Sequence, residues 1–410
     1  MYVFNAKDLP QDPVFPADLT ELGYFITEQD EIRQIEHPAE RFRWKIDRNQ
    51  RYNVVHGEAV DICIRDIVRV RLQEAGLETL RLPLGAAPCE PNVPILTSNL
   101  KGPPRRRVIV VFGSTQSDLG IWGFRSIHDT SIKNGSAVEF TQAVLGKPGA
   151  AKDTALILAN TGQLNWFCKG QRALSNRSLA AQPRPFAISE QASGSWRNTI
   201  PGNANCQEHV KGGLAAIEYL RDNWDLWRAY LSGVALADPT HTALNDLDMS
   251  QLVDKDSFSA FLSSRGRAYI ASSDPLGTPQ PGSGYRTYGC NCYSSGEPLN
   301  NDCIMPAAWI DMLVWLDTLQ ENRFYAENVT ILADDMDEDT LRQLDEMVVE
   351  DEAARHVSSP PGSRAETEED SDIEGPPNRG RMRAKVEAND NGGEEGAEGM
   401  GNAQMKEDGS

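Results

Sequence analysis

The stretch His209-Val210-Lys211-Gly212-Gly213 carries most of what a nucleophile turn requires. Hydrolases of the α/β type hold a serine on a strained strand-to-helix turn of pattern G-x-S-x-G. Its glycines allow close packing, and the helix N-terminus helps to stabilise an oxyanion. Here the glycines are present and an amphipathic helix follows, but the nucleophile position holds Val210, whose side chain cannot attack a carbonyl. Ser114 is the alternative nucleophile, with Asp238 and His241 as its acid–base support. The plainer reading makes Ser114 a loop residue at a sheet edge and Asp238 a turn aspartate that bonds local backbone. His128-Asp129 reads as a buried histidine held by its neighbour.

Metal chemistry finds little support. Cys290-x-Cys292 with Cys303 and His241 fits no usual zinc spacing, so no metal site is expected. Asp334-Asp335-Met336-Asp337 has carboxylates for calcium, but the glycine and distal glutamate of a calcium loop are misplaced. An acidic helix start is the expected role there. No cofactor is expected.

These residues need a scaffold at the ends of strands. Val108 to Phe112 is continuously apolar and β-branched, which predicts a strand buried on both faces of a parallel sheet. Ala155–Ala159, Gly233–Ala237 and Ala268–Ala271 read as further strands, each ending in small or polar residues. Val60, Ile64, Val68 and Leu72 recur every four residues and predict a helix over 57–74. Helices are also expected over 136–145, over 212–227, and from Pro306 along Trp309, Met312, Leu313, Leu316 and Leu319. Strand, helix, strand in this spacing is a βαβ pattern, so the fold class is α/β. The Pro83–Pro104 stretch reads as turns, and 170–208 as a polar loop.

Composition narrows the function classes. The net charge is −20, which argues against a nucleic-acid backbone binder and leaves a basic protein partner open. Seven scattered cysteines fit a reducing compartment. No signal peptide and no spanning apolar run is visible, so neither secretion nor a membrane is expected, and the sequons at Asn176 and Asn328 are chance matches. The organisation expected is one domain over 1–340, an acidic helical extension over 341–357 and a disordered acidic tail over 358–410. Within the tail, Arg379, Arg381, Arg383 and Lys385 form a basic cluster of nuclear-localisation type or a patterned linker. Ser371, inside EEDSDIE, matches an acid-directed kinase target.

Several phrases, in order, resemble a known family. FPADLTELGY with IRQIEHP comes first, then DRNQRYNVVHGEAVDICIRDIV, VIVVFGS, IWGFRSIHD, HVKGGLA, VALADPTH and SSDPLG. The chain resembles the Argonaute-binding-protein-two domain family from about Phe15 to Tyr325. The resemblance implies an α/β-hydrolase-like fold, a mostly parallel sheet with helices on both faces. It matches His209 to the histidine of a His-Ser-aromatic-Gly-Gly elbow, Val210 to its serine, and Gly212 and Gly213 to its glycines. Asp238 and His241 match an Asp-x-x-His phrase, and the histidine expected at the last strand-to-helix turn falls at Asn300 or Asn301. The strand leading into the elbow would lie in Trp196–Glu208, which is polar and contains glycine. The resemblance therefore implies a non-catalytic scaffold in heterochromatin assembly or RNA-directed silencing. Its expected partners are Argonaute or subunits of a class II histone deacetylase complex, and its expected place is the nucleus, with the cytoplasm as a second compartment. The alternative is a serine esterase or amidase with the relocated nucleophile.

Overall fold

The computed structural model describes residues 9–100, 105–113, 117–146, 153–189, 198–201, 212–243, 247, 254–280 and 285–327. A hairpin (β1, Tyr24–Ile26; β2, Ile32–Gln34) precedes helix α1 (Gln50–Glu74). Strands β3 (Glu78–Leu82), β4 (Val93–Thr97) and β5 (Arg107–Phe112) follow, then α2 (Phe124–Asp129), α3 (Val138–Leu145) and β6 (Thr154–Ala159). A second hairpin (β7, Asn165–Phe167; β8, Arg172–Leu174) leads into α4 (Asn176–Ala181). Next come α5 (Gly212–Asp222), α6 (Trp224–Trp227), β9 (Val234–Ala237), α7 (Phe258–Arg265) and β10 (Gly266–Ile270). The described order closes with α8 (Tyr285–Tyr288), β11 (Asn291–Ser294) and α9 (Ile304–Glu321).

Helix α1 begins seven residues before the apolar stripe predicts, because Asn49 caps it by accepting the Arg51 N–H. Val60, Ile64, Val68 and Leu72 are fully buried, as their period requires. The helix ends where Gly76 takes a φ of +95°, a conformation that favours glycine. Residues 212–227, expected as one helix, break at Asn223 into α5 and α6.

Two larger sheets carry the architecture. The first has the order β3-β4-β6-β5. There β4 runs antiparallel to β3 and β6, and β5 pairs parallel with β6 from Arg107↔Thr154 to Phe112↔Ala159. The second sheet has the order β11-β10-β9, all parallel. Its faces alternate as a pleat demands. Leu236, Ala268 and Cys292 face Ile217 of α5 and Leu262 of α7, while Ala235, Tyr269 and Tyr293 face Ala308 and Met312 of α9. Helices thus cover both faces of this sheet. The absent side chain of Gly266 lets α7 turn directly into β10, since a Cβ there would sit 2.3 Å from the Leu262 carbonyl oxygen.

The first sheet departs from expectation. Ile109, Leu156 and Leu158 pack inward with α1, α3 and the α9 residues Trp309 and Leu313. Val108, Val110 and Phe112, on the other face, are 56 %, 45 % and 50 % exposed. The strand is buried on one face, not two, because β5 ends its sheet among the described residues and the helices of the inner core lie on one side of it. The stretches read as turns and loop also hold structure: β4 lies within the proline-rich stretch, and β8 and α4 lie within 170–208.

Helix α9 joins the two halves. Trp309 and Leu313 enter the core under the first sheet, Ala308 and Met312 enter that under the second, and Asp317 pairs with Arg107 at the start of β5. Beyond it, Glu327 is held at the amino ends of β10 and β11. It takes Arg267 Nε at 2.6 Å, the Tyr293 hydroxyl at 2.9 Å and the Tyr325 hydroxyl at 2.8 Å. The Arg267 guanidinium also lies over the rings of Tyr293 and Trp315. Burial alone would raise the Glu327 carboxyl, but the bonds from Tyr325 and Arg267 outweigh it and hold it below its ordinary value.

Candidate functional site

The carboxyl ends of the second sheet gather the sequence-predicted acid and its neighbours. Asp238 follows β9 with a φ of +47°, which aspartate tolerates, and its N–H bonds the Tyr269 carbonyl at 3.0 Å. The Asn301 side chain lies near the Asp238 carboxylate. Burial raises its pKa, the nearby Asn301 carboxamide opposes that rise, and nearby Asp302 adds to it. Asn301 opens the short 3-10 turn Asn301–Cys303 before α9, where the family histidine was expected. A carboxamide can donate an N–H to the acid, but it has no nitrogen that takes up a proton at neutral pH. This pair therefore cannot relay a proton as an aspartate–histidine pair does.

His241 is deeply buried, and its Nε2 donates to the Tyr288 carbonyl at 2.9 Å. The structure thus gives Asp238 and His241 different partners. Asn300 turns towards Glu297, whose Oε1 accepts both its backbone and side-chain N–H groups. Asp274, after β10, is a further carboxyl-edge acid that sequence reasoning passed over as part of a strand end. It is exposed, and Gln280 Nε2 bonds its Oδ2 at 2.6 Å. The signal for it was present: an aspartate four residues past the end of a buried strand. Gly212 and Gly213 open α5, whose Ile217 is fully buried. His209, Val210, Lys211 and Ser114 lie outside the described residues.

A second constellation, far larger, is built on α1. Glu58, Asp61 and Arg65 lie together on one flank of the apolar stripe, at helical spacings of three, four and seven. Arg65 binds Glu58 Oε1 at 2.6 Å and the Asp118 carboxylate, and Ser178 donates to Glu58 Oε2 at 3.1 Å. Burial raises the Glu58 pKa against the pull of Arg65. The same burial would lower Arg65, but the Asp118 and Glu58 carboxylates outweigh it and keep the guanidinium charged. Asp61, fully buried, accepts from His128 Nε2 at 3.1 Å and lies 2.7 Å from Arg177 Nη2. His128 stacks on Phe42 with ring centroids 3.9 Å apart and meets the edge of Trp44. The histidine is buried as expected, but its holder is Asp61 and not Asp129. Asp129 pairs instead with Arg125 near the surface, because α2 turns the two neighbours to different sides.

Burial pushes the Cys292 thiol up to about 12, the Cys303 thiol up to about 11, and Cys290 upward as well. Among the described residues no group of three or more His, Cys, Asp or Glu side chains is placed to hold a metal ion. No helix among them is long and apolar enough to cross a membrane. Asp334, Asp335, Asp337, Ser371, the Arg379–Lys385 cluster, the acidic extension and the tail lie outside the described residues.

Parallel strands whose ends carry the polar groups, with helices packed against the sheets, define an α/β domain of the kind that forms sites at strand ends. A family model described as the Arb2 domain matches residues 15–211 and again 210–276, and the chain belongs to the Arb2 domain family. The two matched stretches meet at Val210-Lys211, within the elbow. No curated protein and no solved structure matches the chain.

Proposed function

We propose that this protein is a non-catalytic, α/β-hydrolase-like interaction scaffold, acting in heterochromatin assembly or RNA-directed silencing. The observation that carries this reading is Asn301 beside the Asp238 carboxylate, at a position where the family histidine was expected. A carboxamide, which cannot shuttle a proton, stands there in place of an imidazole. Val210 at the nucleophile position is the second support. The break in the family match at the elbow is a third. The strand order supports the hydrolase-like architecture. The first sheet runs β3-β4-β6-β5 with only β4 reversed, and three parallel strands follow in chain order. Hydrolases of the α/β type share that order, and their elbow strand lies between the two groups.

The partners proposed are Argonaute or subunits of a class II histone deacetylase complex, met in the nucleus. Three experiments test the reading. A fluorophosphonate probe should leave the full chain unlabelled at neutral pH. Labelling that disappears in Ser114→Ala would instead establish a serine esterase or amidase with a relocated nucleophile. Affinity capture from nuclear extract should recover an Argonaute or a deacetylase subunit, and recovery of neither would overturn the proposed partners. Transcripts across codons 190–210 should encode the polar stretch as it stands. An in-frame exon with an apolar strand and a serine would restore an enzyme.

A further inference from the structure

Several arginines of the fold sit against carboxylates: Arg51 on Asp12, Arg71 on Asp30, Arg107 on Asp317 and Arg267 on Glu327. The connection between β2 and α1 is different. It carries Arg41, Arg43, Lys45 and Arg48, all exposed. Among the described residues none of these four bases forms an ion pair. Asp47, the acid between them, turns its Oδ1 back to the Asn49 N–H at 2.6 Å. Glu40, beside Arg41, accepts from Gln34 Nε2. The chain has a net charge of −20, so carboxylates are plentiful and a run of bases without one stands out.

The stretch is held firmly. Asn53 of α1 clamps it: its Oδ1 accepts the Ile46 and Asp47 N–H groups at 2.8 and 2.9 Å, and its Nδ2 donates to the Asp47 carbonyl at 2.9 Å. Gln34 Nε2 donates to the Arg41 carbonyl at 2.8 Å, and Phe42 is buried on His128. Arg43 Nε donates to the Lys45 carbonyl at 3.1 Å, which brings the Arg43 guanidinium to the backbone beside Trp44. Trp44 meets Phe42 and His128 edge-on, with ring centroids 5.0 and 4.9 Å apart, and is 45 % exposed.

Tryptophan and arginine are the side chains enriched where interfaces concentrate their binding energy. The ordered backbone here means that little freedom is lost on binding. Charge decides the partner. At physiological salt the Debye length is about 8 Å, so a ligand on Trp44 feels these bases more than the distant carboxylates of the chain. A guanidinium takes a carboxylate through two parallel N–H bonds. The chain from Arg41 to Lys45 spans at most about 14 Å. An extended peptide sets its same-side side chains about 7 Å apart. Two or three carboxylates of one short segment therefore reach these bases together.

We propose that residues 41–48 form a docking surface for an acidic segment of a partner protein. Its carboxylates pair with Arg41, Arg43, Lys45 and Arg48, and an apolar side chain among them packs on Trp44. The inference does not depend on the silencing role or on the elbow.

The test is fluorescence polarisation on the full chain at physiological salt. The probe is a short fluorescein-labelled peptide of glutamates around one phenylalanine, and it should bind saturably. Joint substitution Arg41→Glu and Lys45→Glu, at side chains that make no hydrogen bond in the fold, should weaken binding at least about tenfold. Trp44→Ala should weaken it about tenfold, and a peptide with glycine in place of the phenylalanine should be indifferent to that change. If Trp44→Ala fails to fold by circular dichroism, the charge variant decides. Joint substitution Lys133→Glu and Lys255→Glu, at exposed bases elsewhere, makes the same change in net charge and should bind as the wild type does. No saturable binding, or an equal loss in the Lys133 and Lys255 variant, overturns the proposal. So does tighter binding of a single-stranded oligouridine of matched charge, which would make the surface one for nucleic acid.

Discussion

The polar groups around α1 and those at the ends of β9 to β11 differ in what the fold spends on them. Around α1 the charges are buried and interlocked: Arg65 is shared by Glu58 and Asp118, and Asp61 is shared by His128 and Arg177. At the strand ends the described groups are few and partly exposed, and Asp238 has the Asn301 carboxamide and Asp302 nearby. Catalytic sites usually show the reverse, with perturbed, interlocked groups in the cleft where the chemistry occurs. Among the described residues the dense network lies along α1, while the ends of β9 to β11 bring together one acid and an amide.

Arg65→Met is the harshest way to break that comparison. It leaves two buried carboxylates without their cation and should cost about 3–5 kcal/mol in urea unfolding. A loss below about 1 kcal/mol would place Arg65 among ordinary surface ion pairs and dissolve the contrast. Asp61→Asn comes next, with a loss of about 2 kcal/mol, because His128 and Arg177 both lose their charged acceptor. Pairing it with His128→Phe should recover part of that loss, and strict additivity would argue that the two side chains do not interact.

Glu58 sharpens the contrast through pH. Its folded-state pKa is raised by burial, so the unfolded chain releases this proton first as pH rises. Wild-type stability should therefore carry a loss that begins in the ordinary glutamate range and is complete above the raised folded value. Glu58→Gln should remove that component, which a comparison of thermal midpoints across mildly acid to neutral pH reads directly. Parallel profiles for the two proteins would count against a buried, strained carboxylate. The smallest effects belong to the strand ends. Asp238→Asn and Asn301→Ala should each change stability by no more than about 0.5 kcal/mol. A large loss at either would show that the strand ends are as integral as α1.

The sequence disclosed elements in proportion to their periodicity. The stripe from Val60 to Leu72 and the β-branched run of β5 are legible because each repeats one physical preference over several residues. Strand β11 is only Asn291-Cys292-Tyr293-Ser294, which has no such run, and β4 hides Pro94 inside a proline-rich stretch. The polar sites divide along the same line. Asp238 was visible as a strand-end residue, and the position of Asn301 followed from a family phrase. The bond between His128 and Asp61 was not visible, because it joins residues 67 positions apart that only the packing of α2 on α1 brings together. A local reading reaches for Asp129, the nearest acid, and finds the wrong partner.

Glu327 lies six residues past the end of α9, yet it closes an ion pair on a strand in the middle of the second sheet. A shortened form of the protein cut at the helix end would look complete by secondary structure. It would nevertheless leave the Arg267 guanidinium stranded between two aromatic rings without its counter-ion. For anyone trimming the chain for crystals or binding assays, the safe cutting point is therefore set by a carboxylate and lies beyond residue 327.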